Sequence, residues 1–123
     1  MNYEFPTPFQ FAKLEASKST MRIKVGACLA VGKSVTKGHN KSKTHTKFAN
    51  PQIHTRTSIH AELDCLNKVP TAEGGEIYVY REVDGVPAMS RPCNHCLTFL
   101  KSEGIRRIYY TIPHEPYWEM EEL

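Results

Sequence analysis

Hydrophobic positions along the chain change their period several times, and each change marks an element. Within Phe9 to Ser19, the apolar residues Phe11, Ala12, Leu14 and Ala16 recur at helical spacing with lysines between them, so this stretch predicts a helix. Ahead of it, Met1 to Pro8 holds two prolines and no period, which predicts a loose lead-in. From Arg22 to Val31 the chain is rich in β-branched and small apolar residues, breaks at Gly32-Lys33 and resumes over Ser34 to Gly38, the pattern of a β-hairpin. His39 to Ser58 is polar, Lys/His/Thr-rich and without a period; a loop of about twenty residues in a small domain is commonly functional. Ser58 stands as an N-cap, with Glu62 in the first turn, and Ala61, Leu63, Cys65 and Leu66 supply the buried face of a helix over His60 to Asn67.

The second half alternates in the same way. Pro70 to Gly75 reads as a turn, Glu76 to Arg81 as a strand of aromatic and β-branched residues, and Asp84-Gly85 as a tight turn. Cys93 to Ser102 is helical, with Pro92 tolerated at its start and Gly104 just past its end. Ile105 to Tyr110 is a strand. After it, Pro113, Pro116 and the acidic Glu119-Met120-Glu121-Glu122 predict a coil or a short helical tail over 112–123, not an added strand. Helix, two strands, helix, strand, helix, strand predicts an α/β fold, a three-layer α-β-α sandwich with a mixed central sheet flanked by helices. At 123 residues, against about 150 per domain, it is expected to form one domain.

Composition narrows the class. Forty per cent hydrophobic and 24% charged residues are ordinary for a globular chain and exclude collagen-like and fully disordered alternatives. No apolar run approaches the ~20 residues of a membrane span, and the start lacks the basic and apolar regions of a secretory signal, so a cytoplasmic location is expected. The net charge of +3 is unevenly spread: Met1 to His60 carries ten Lys/Arg against two acids, Ala61 to Leu123 six against eleven. The basic half suits an anionic ligand, although a solvated basic face has the same composition.

Four cysteines stand at 28, 65, 93 and 96. Cys28 lies in an apolar strand and Cys65 in a helix, where a free cysteine packs as a small hydrophobe. Cys93 and Cys96 differ, following a proline in Pro92-Cys93-Asn94-His95-Cys96, with His60-Ala61-Glu62 upstream. H-x-E followed by P-C-x-x-C is the signature of zinc nucleobase deaminases. One imidazole and two thiolates give three protein ligands and leave a fourth position for water, as in catalytic zinc sites. Such an ion lowers the pKa of water toward ~7. Glu62, two residues beyond His60, suits a proton carrier better than a fourth ligand. Two cysteines three apart at a helix start face one side, near free N–H groups that favour thiolate. Each part has a plainer reading: a lone C-x-x-C can be a redox pair, and a structural Cys₂His₂ shell could recruit His39, His45, His54 or His114, leaving Glu62 without a role.

With these motifs the chain resembles the cytidine/deoxycytidylate deaminase superfamily over nearly its whole length. Val25-Gly26-Ala27, Gly38-His39-Asn40, Ser58-Ile59-His60-Ala61-Glu62 and Gly104 to Tyr110 look like further landmarks of that fold. The resemblance implies His60, Cys93 and Cys96 as zinc ligands and Glu62 as the proton shuttle, with Asn40 contacting the sugar and backbone at Ala61 and near Pro92 reading the base. It implies a hydrolytic deaminase of cytosine nucleotides, nearer the deoxycytidylate, polynucleotide-cytosine and tRNA-adenosine branches because histidine leads the ligand set. The expected substrate is a free cytosine nucleotide of deoxycytidylate type. The alternatives are cytosine or adenine in single-stranded DNA or RNA, and a non-catalytic zinc-stabilised binding module. Ser90-Arg91 before Pro92 lacks the tryptophan-containing lead-in of vertebrate polynucleotide editors.

In such a fold the loop over 39–58 would border the pocket, where Lys43 and Arg56, with Lys41 and Lys47, could clamp a phosphate. Tyr110, with Tyr109, Tyr117 and Trp118, is a candidate for stacking on a base. Members of the superfamily commonly form homo-oligomers, which is the expectation here.

Overall fold

A computed structural model describes residues 3–42 and 58–123. The elements in order are α1 (Thr7–Ala16), β1 (Val25–Val31), β2 (Ser34–His39), β3 (Lys41–Ser42), β4 (Ser58–Ile59), α2 (Ala61–Leu66), β5 (Glu76–Val83), β6 (Val86–Pro87), α3 (Asn94–Ser102), β7 (Arg107–Thr111) and β8 (Trp118–Glu122). The main sheet runs β2-β1-β5-β7-β8, with the short β6 returning onto β5. β5 and β7 are parallel, joined by the crossover through α3, and the other neighbours are antiparallel. The sheet is therefore mixed, as expected.

Alternation along each strand assigns the two faces. Ala27, Leu29, Ile77, Val79, Ile108 and Tyr110 join the residues of α2 and α3 in one core. Cys28, Tyr78 and Tyr80 point the other way and pack with Phe9, Ala12 and Ala16 of α1. Helices thus cover both faces. Gly26 permits the closest approach: a Cβ there would stand 1.8 Å from the Ala12 carbonyl oxygen, so α1 rests directly on the backbone of β1. Gly38 does the same for α2, since a Cβ would stand 2.9 Å from both the Ala61 carbonyl oxygen and the Cys65 amide nitrogen.

Several boundaries depart from expectation. α1 begins at Thr7, within the predicted lead-in, with Pro6 at its N-cap and Pro8 in its first turn, where a missing N–H costs nothing. The lead-in is not loose, because Phe5 packs on Phe9 and Tyr80 and Tyr3 on Tyr117. Leu14 and Phe11, expected on the apolar face of α1, are exposed, and Phe9 takes the buried place. His60, not Ser58, occupies the N-cap of α2, and 58–59 pair as β4 with β3. The largest correction is the tail: Trp118–Glu122 is an edge strand antiparallel to β7. Pro113 and Pro116 lie in the reversing turn, closed by Tyr117 N–H to the His114 carbonyl (2.7 Å), and not in the strand. The acidic side chains find partners there: Glu121 meets Arg91 and the Tyr110 hydroxyl, Glu119 the same hydroxyl, and Glu122 Arg107. None of the helices among the described residues is long and apolar enough to cross a membrane.

Candidate metal and substrate site

α2 and α3 begin on the same side of the sheet, and each starts with a residue of the motif. His60 caps α2 in extended conformation while its carbonyl accepts from Asp64 N–H (3.0 Å). Cys93 does the same at α3, accepting from Leu97 N–H (2.9 Å). The caps bring His60 Nδ1 to 3.9 Å from Cys96 Sγ across 36 residues of chain. A tetrahedral zinc with bonds of about 2.0 and 2.3 Å sets those atoms roughly 3.5 Å apart, so this pair stands close to a ligating separation.

Cys93 is exposed and Cys96 buried. The Cys96 backbone N–H, chief among several donors that include the Cys96 thiol and the His95 N–H, holds the Cys93 thiol below its ordinary range against the opposing effect of burial. Burial, then the charge of Glu62, pushes Cys96 up. Among the described residues no three His, Cys, Asp or Glu side chains already converge as a metal cluster. The fit to a metal is therefore one of donor chemistry, an imidazole beside two thiols, and of the His60–Cys96 approach. Glu62 is buried, and desolvation lifts its carboxyl above the usual carboxylate range despite the opposing pull of His60 and its own N–H.

These groups open onto a cavity of about 490 Å³, whose lining includes Asn40, His60, Ala61, Glu62, Pro92, Cys93 and Cys96. Asn40, expected at the sugar, is braced through its side chain: Oδ1 accepts from Val25 N–H (2.9 Å) and Nδ2 donates to the Ile23 carbonyl (2.5 Å). Ala61 and Pro92, whose backbone the resemblance assigns to the base, line the cavity. Tyr110, expected on the base, is not among the described residues that line it; the residue faces the α2/α3 core, and its hydroxyl donates to Glu121 (2.5 Å) with Glu119 also within reach (3.0 Å). Lys43 and Arg56, with His45, Lys47 and His54, lie outside the described residues. Of the spare histidines, His39 is engaged with Glu15 (3.3 Å) and His114 lies in the β7–β8 turn.

The cavity wall holds residues that motif reading does not single out. Met21, Arg22, Ile23, Arg81 and Met89 line it beside Val25 of the Val25-Gly26-Ala27 landmark, and none of these five carries a spacing signal. Ser90 and the fully buried Thr111 fasten the Arg91-Pro92-Cys93 approach to the sheet. Ser90 Oγ donates to the Val79 carbonyl (2.9 Å), and Thr111 Oγ1 donates to the Ala88 carbonyl (2.7 Å). Thr111, the last residue of β7, and Ser90, in the segment between β6 and α3, thus tie the approach to α3 onto β5 and β7.

The model of a known family, the cytidine and deoxycytidylate deaminase zinc-binding region, matches residues 7–112, from the first residue of α1 to just past β7. The chain belongs to this family. The match includes both cap motifs and every strand of the main sheet except β8. No curated protein sequence matches the chain. Among solved structures, the chain is similar to the apo dCMP deaminase of cyanophage S-TIM5, at 21% identity and a TM-score of 0.62, over 89% of this chain and 83% of that one. The same phage enzyme in complex with dCMP and dUMP aligns at 19% identity and 0.57, over 88% and 77%. Cytidine deaminase from Burkholderia pseudomallei aligns at 19% identity and 0.65, over 94% and 90%. At these identities the likeness is one of fold, and the family's zinc-binding character makes zinc the expected ion.

Proposed function

We propose that this deaminase-family chain hydrolyses the exocyclic amine of cytosine in a nucleotide of deoxycytidylate type, giving uracil and ammonia, with zinc held by His60, Cys93 and Cys96 and with Glu62 as the proton carrier. The observation that carries the reading is a buried carboxyl, Glu62, standing beside the His60–Cys96 pair on the wall of a cavity of about 490 Å³. The bound dCMP of the cyanophage relative supports the nucleotide class.

When bound, zinc makes hydroxide available from water near neutral pH. The chain's own residues supply the rest. Glu62 is buried away from bulk water; as the carboxylate it can take a proton from the attacking water and pass it to ring N3, then take the second proton of that water and deliver it to the departing amine, ending again as the carboxylate. The balance is cytosine plus water to uracil plus ammonia. Backbone at Ala61 and Pro92 flanks the base edge, and the bracing of Asn40 holds its amide at the cavity wall for the sugar.

The test is ammonia release from dCMP, cytidine and a cytosine-containing oligonucleotide by the zinc-loaded chain and by Glu62→Gln. The wild type should act best on dCMP, and the variant should keep its zinc while losing at least ~10²-fold in rate, the usual contribution of a positioned acid–base group. Equal inactivity of both proteins on every substrate would reject the reading.

A further inference from the structure

Among the described residues three arginines line the site cavity, Arg22, Arg81 and Arg91, with one carboxylate, Glu62. Arg91 is already occupied, its guanidinium bridging both Glu121 oxygens at 2.5 and 3.1 Å. The other two carry no ion pair among the described residues. Arg81 Nη1 donates to the Met89 carbonyl (3.2 Å), but its Nε is buried without a hydrogen-bond partner among the described residues. A buried charged donor without an acceptor is disfavoured unless a ligand supplies one. Arg81 pairs across the sheet with Val25, three residues from Arg22, so the two guanidinium groups belong to one corner of the wall.

That corner is also a junction. A second groove, of about 710 Å³, is lined by Arg22, Ile23 and Arg81 as well, and runs past Lys13 and Lys24 toward Glu82 and Asp84. Its lining also holds the acids Glu82 and Asp84, and among the described residues no aromatic side chain lines it. A polynucleotide track would need repeated cations and stacking platforms, which this groove does not offer. One compact anion at the junction fits both the charge distribution and the fork of guanidinium donors.

We propose that Arg22 and Arg81 form an anion subsite that takes the phosphate monoester of the nucleotide and sets the preference for nucleotide over nucleoside. The proposal deepens the deaminase reading and rests on it for the base and sugar. It places the phosphate at the corner formed by residues 22–25 and β5.

Calorimetric titration of the zinc-loaded full chain with dUMP, deoxyuridine, inorganic phosphate and a deoxyuridine-containing oligonucleotide tests it, using wild type, Arg81→Gln, Arg81→Lys and Arg22→Ala. Wild type should bind dUMP about 10- to 100-fold more tightly than deoxyuridine, the range of charge-assisted hydrogen bonds. Arg81→Gln should shrink that gap to about threefold or less, Arg81→Lys should retain part of it, and Arg22→Ala should fall between. Should Arg81→Gln fail to fold, the exposed Arg22 carries the test. An undiminished gap in Arg22→Ala and in folded Arg81→Gln overturns the proposal. An Arg81-dependent preference for the oligonucleotide over dUMP overturns the monoester as occupant. Because binding is read without turnover, the two readings separate. A wild type that deaminates dCMP yet binds dUMP no better than deoxyuridine sinks only the subsite. One that binds phosphate through Arg81 but turns over no substrate sinks only the enzyme.

Discussion

Asp64 ties the helix that carries His60 to the edge of the sheet, and removing its carboxylate gives a graded prediction. The side chain is buried; Oδ2 accepts the His39 backbone N–H at 3.1 Å, Oδ1 meets Lys41 Nζ at 2.9 Å, and Lys68 Nζ stands 3.3 Å from Oδ2. In Asp64→Ala the His39 N–H loses its acceptor, at a cost of about 1–3 kcal/mol. The lysine side chains are 32% and 43% exposed, so each ion pair adds only about 0–1 kcal/mol. The expected loss is about 2–4 kcal/mol for alanine, and about 1 kcal/mol for Asp64→Asn, which keeps an acceptor for His39. Urea titration of the three proteins measures both differences.

The pH dependence of the same pair is fixed in sign. Burial alone would raise the Asp64 pKa, but the Lys41 hydrogen bond, the His39 N–H and the charges of Lys68 and Lys41 outweigh it and hold the carboxyl below its usual value. A depressed folded pKa means that the stabilisation is whole above the unfolded value of ~3.9 and is lost as pH falls through the folded one. The gap between wild type and Asp64→Asn should therefore be flat from about pH 7 to 5 and close below about 4. An alanine variant within ~0.5 kcal/mol of wild type, or a gap that widens on acidification, would refute this account of the brace.

Two further outcomes follow from packing and exposure. Gly26→Ala should destabilise the fold by about 1–3 kcal/mol or more, seen as a lower urea midpoint, because the added Cβ meets the α1 backbone and not a movable side chain; an unchanged midpoint would mean that α1 does not rest on β1 as described. In native protein stripped of metal, iodoacetamide should modify Cys93 first, and leave Cys28 and Cys65 untouched until urea is added. Zinc should protect Cys93, and modification of Cys28 in the folded state would contradict its place under α1.

The sequence made the two cap motifs and their supporting strands legible because both depend on local rules. Gly32-Lys33 between two β-prone runs makes the β1–β2 hairpin, and the period-two alternation of Ala27, Cys28 and Leu29 already separates the two faces of the sheet. β8 was not legible. Its acids and neighbouring prolines resemble a solvated tail, and what makes them a strand is non-local: Arg91, Arg107 and Tyr110 waiting along β7 and the site approach. Residue type points Tyr110 toward a substrate base, whereas the strand's parity turns it into the core. Arg81 was hidden for the same reason, since nothing in Tyr80-Arg81-Glu82 tells that its guanidinium lines a cavity built from residues up to sixty positions earlier. The helix spacing of α1 was visible, but its buried stripe passes through Phe9 and Ala12 and not through Leu14, a rotation fixed by Gly26 and Tyr80 beneath it.

The central claim is one zinc ion held by an imidazole from the start of α2 and a thiol pair from the start of α3. Metal analysis of freshly purified wild type, His60→Ala and the Cys93→Ser/Cys96→Ser double variant tests it most directly. The account predicts one equivalent of zinc per wild-type chain and a loss of stoichiometric zinc in both variants while the fold persists; a wild type without stoichiometric metal, or a folded variant that keeps its full complement, would contradict it.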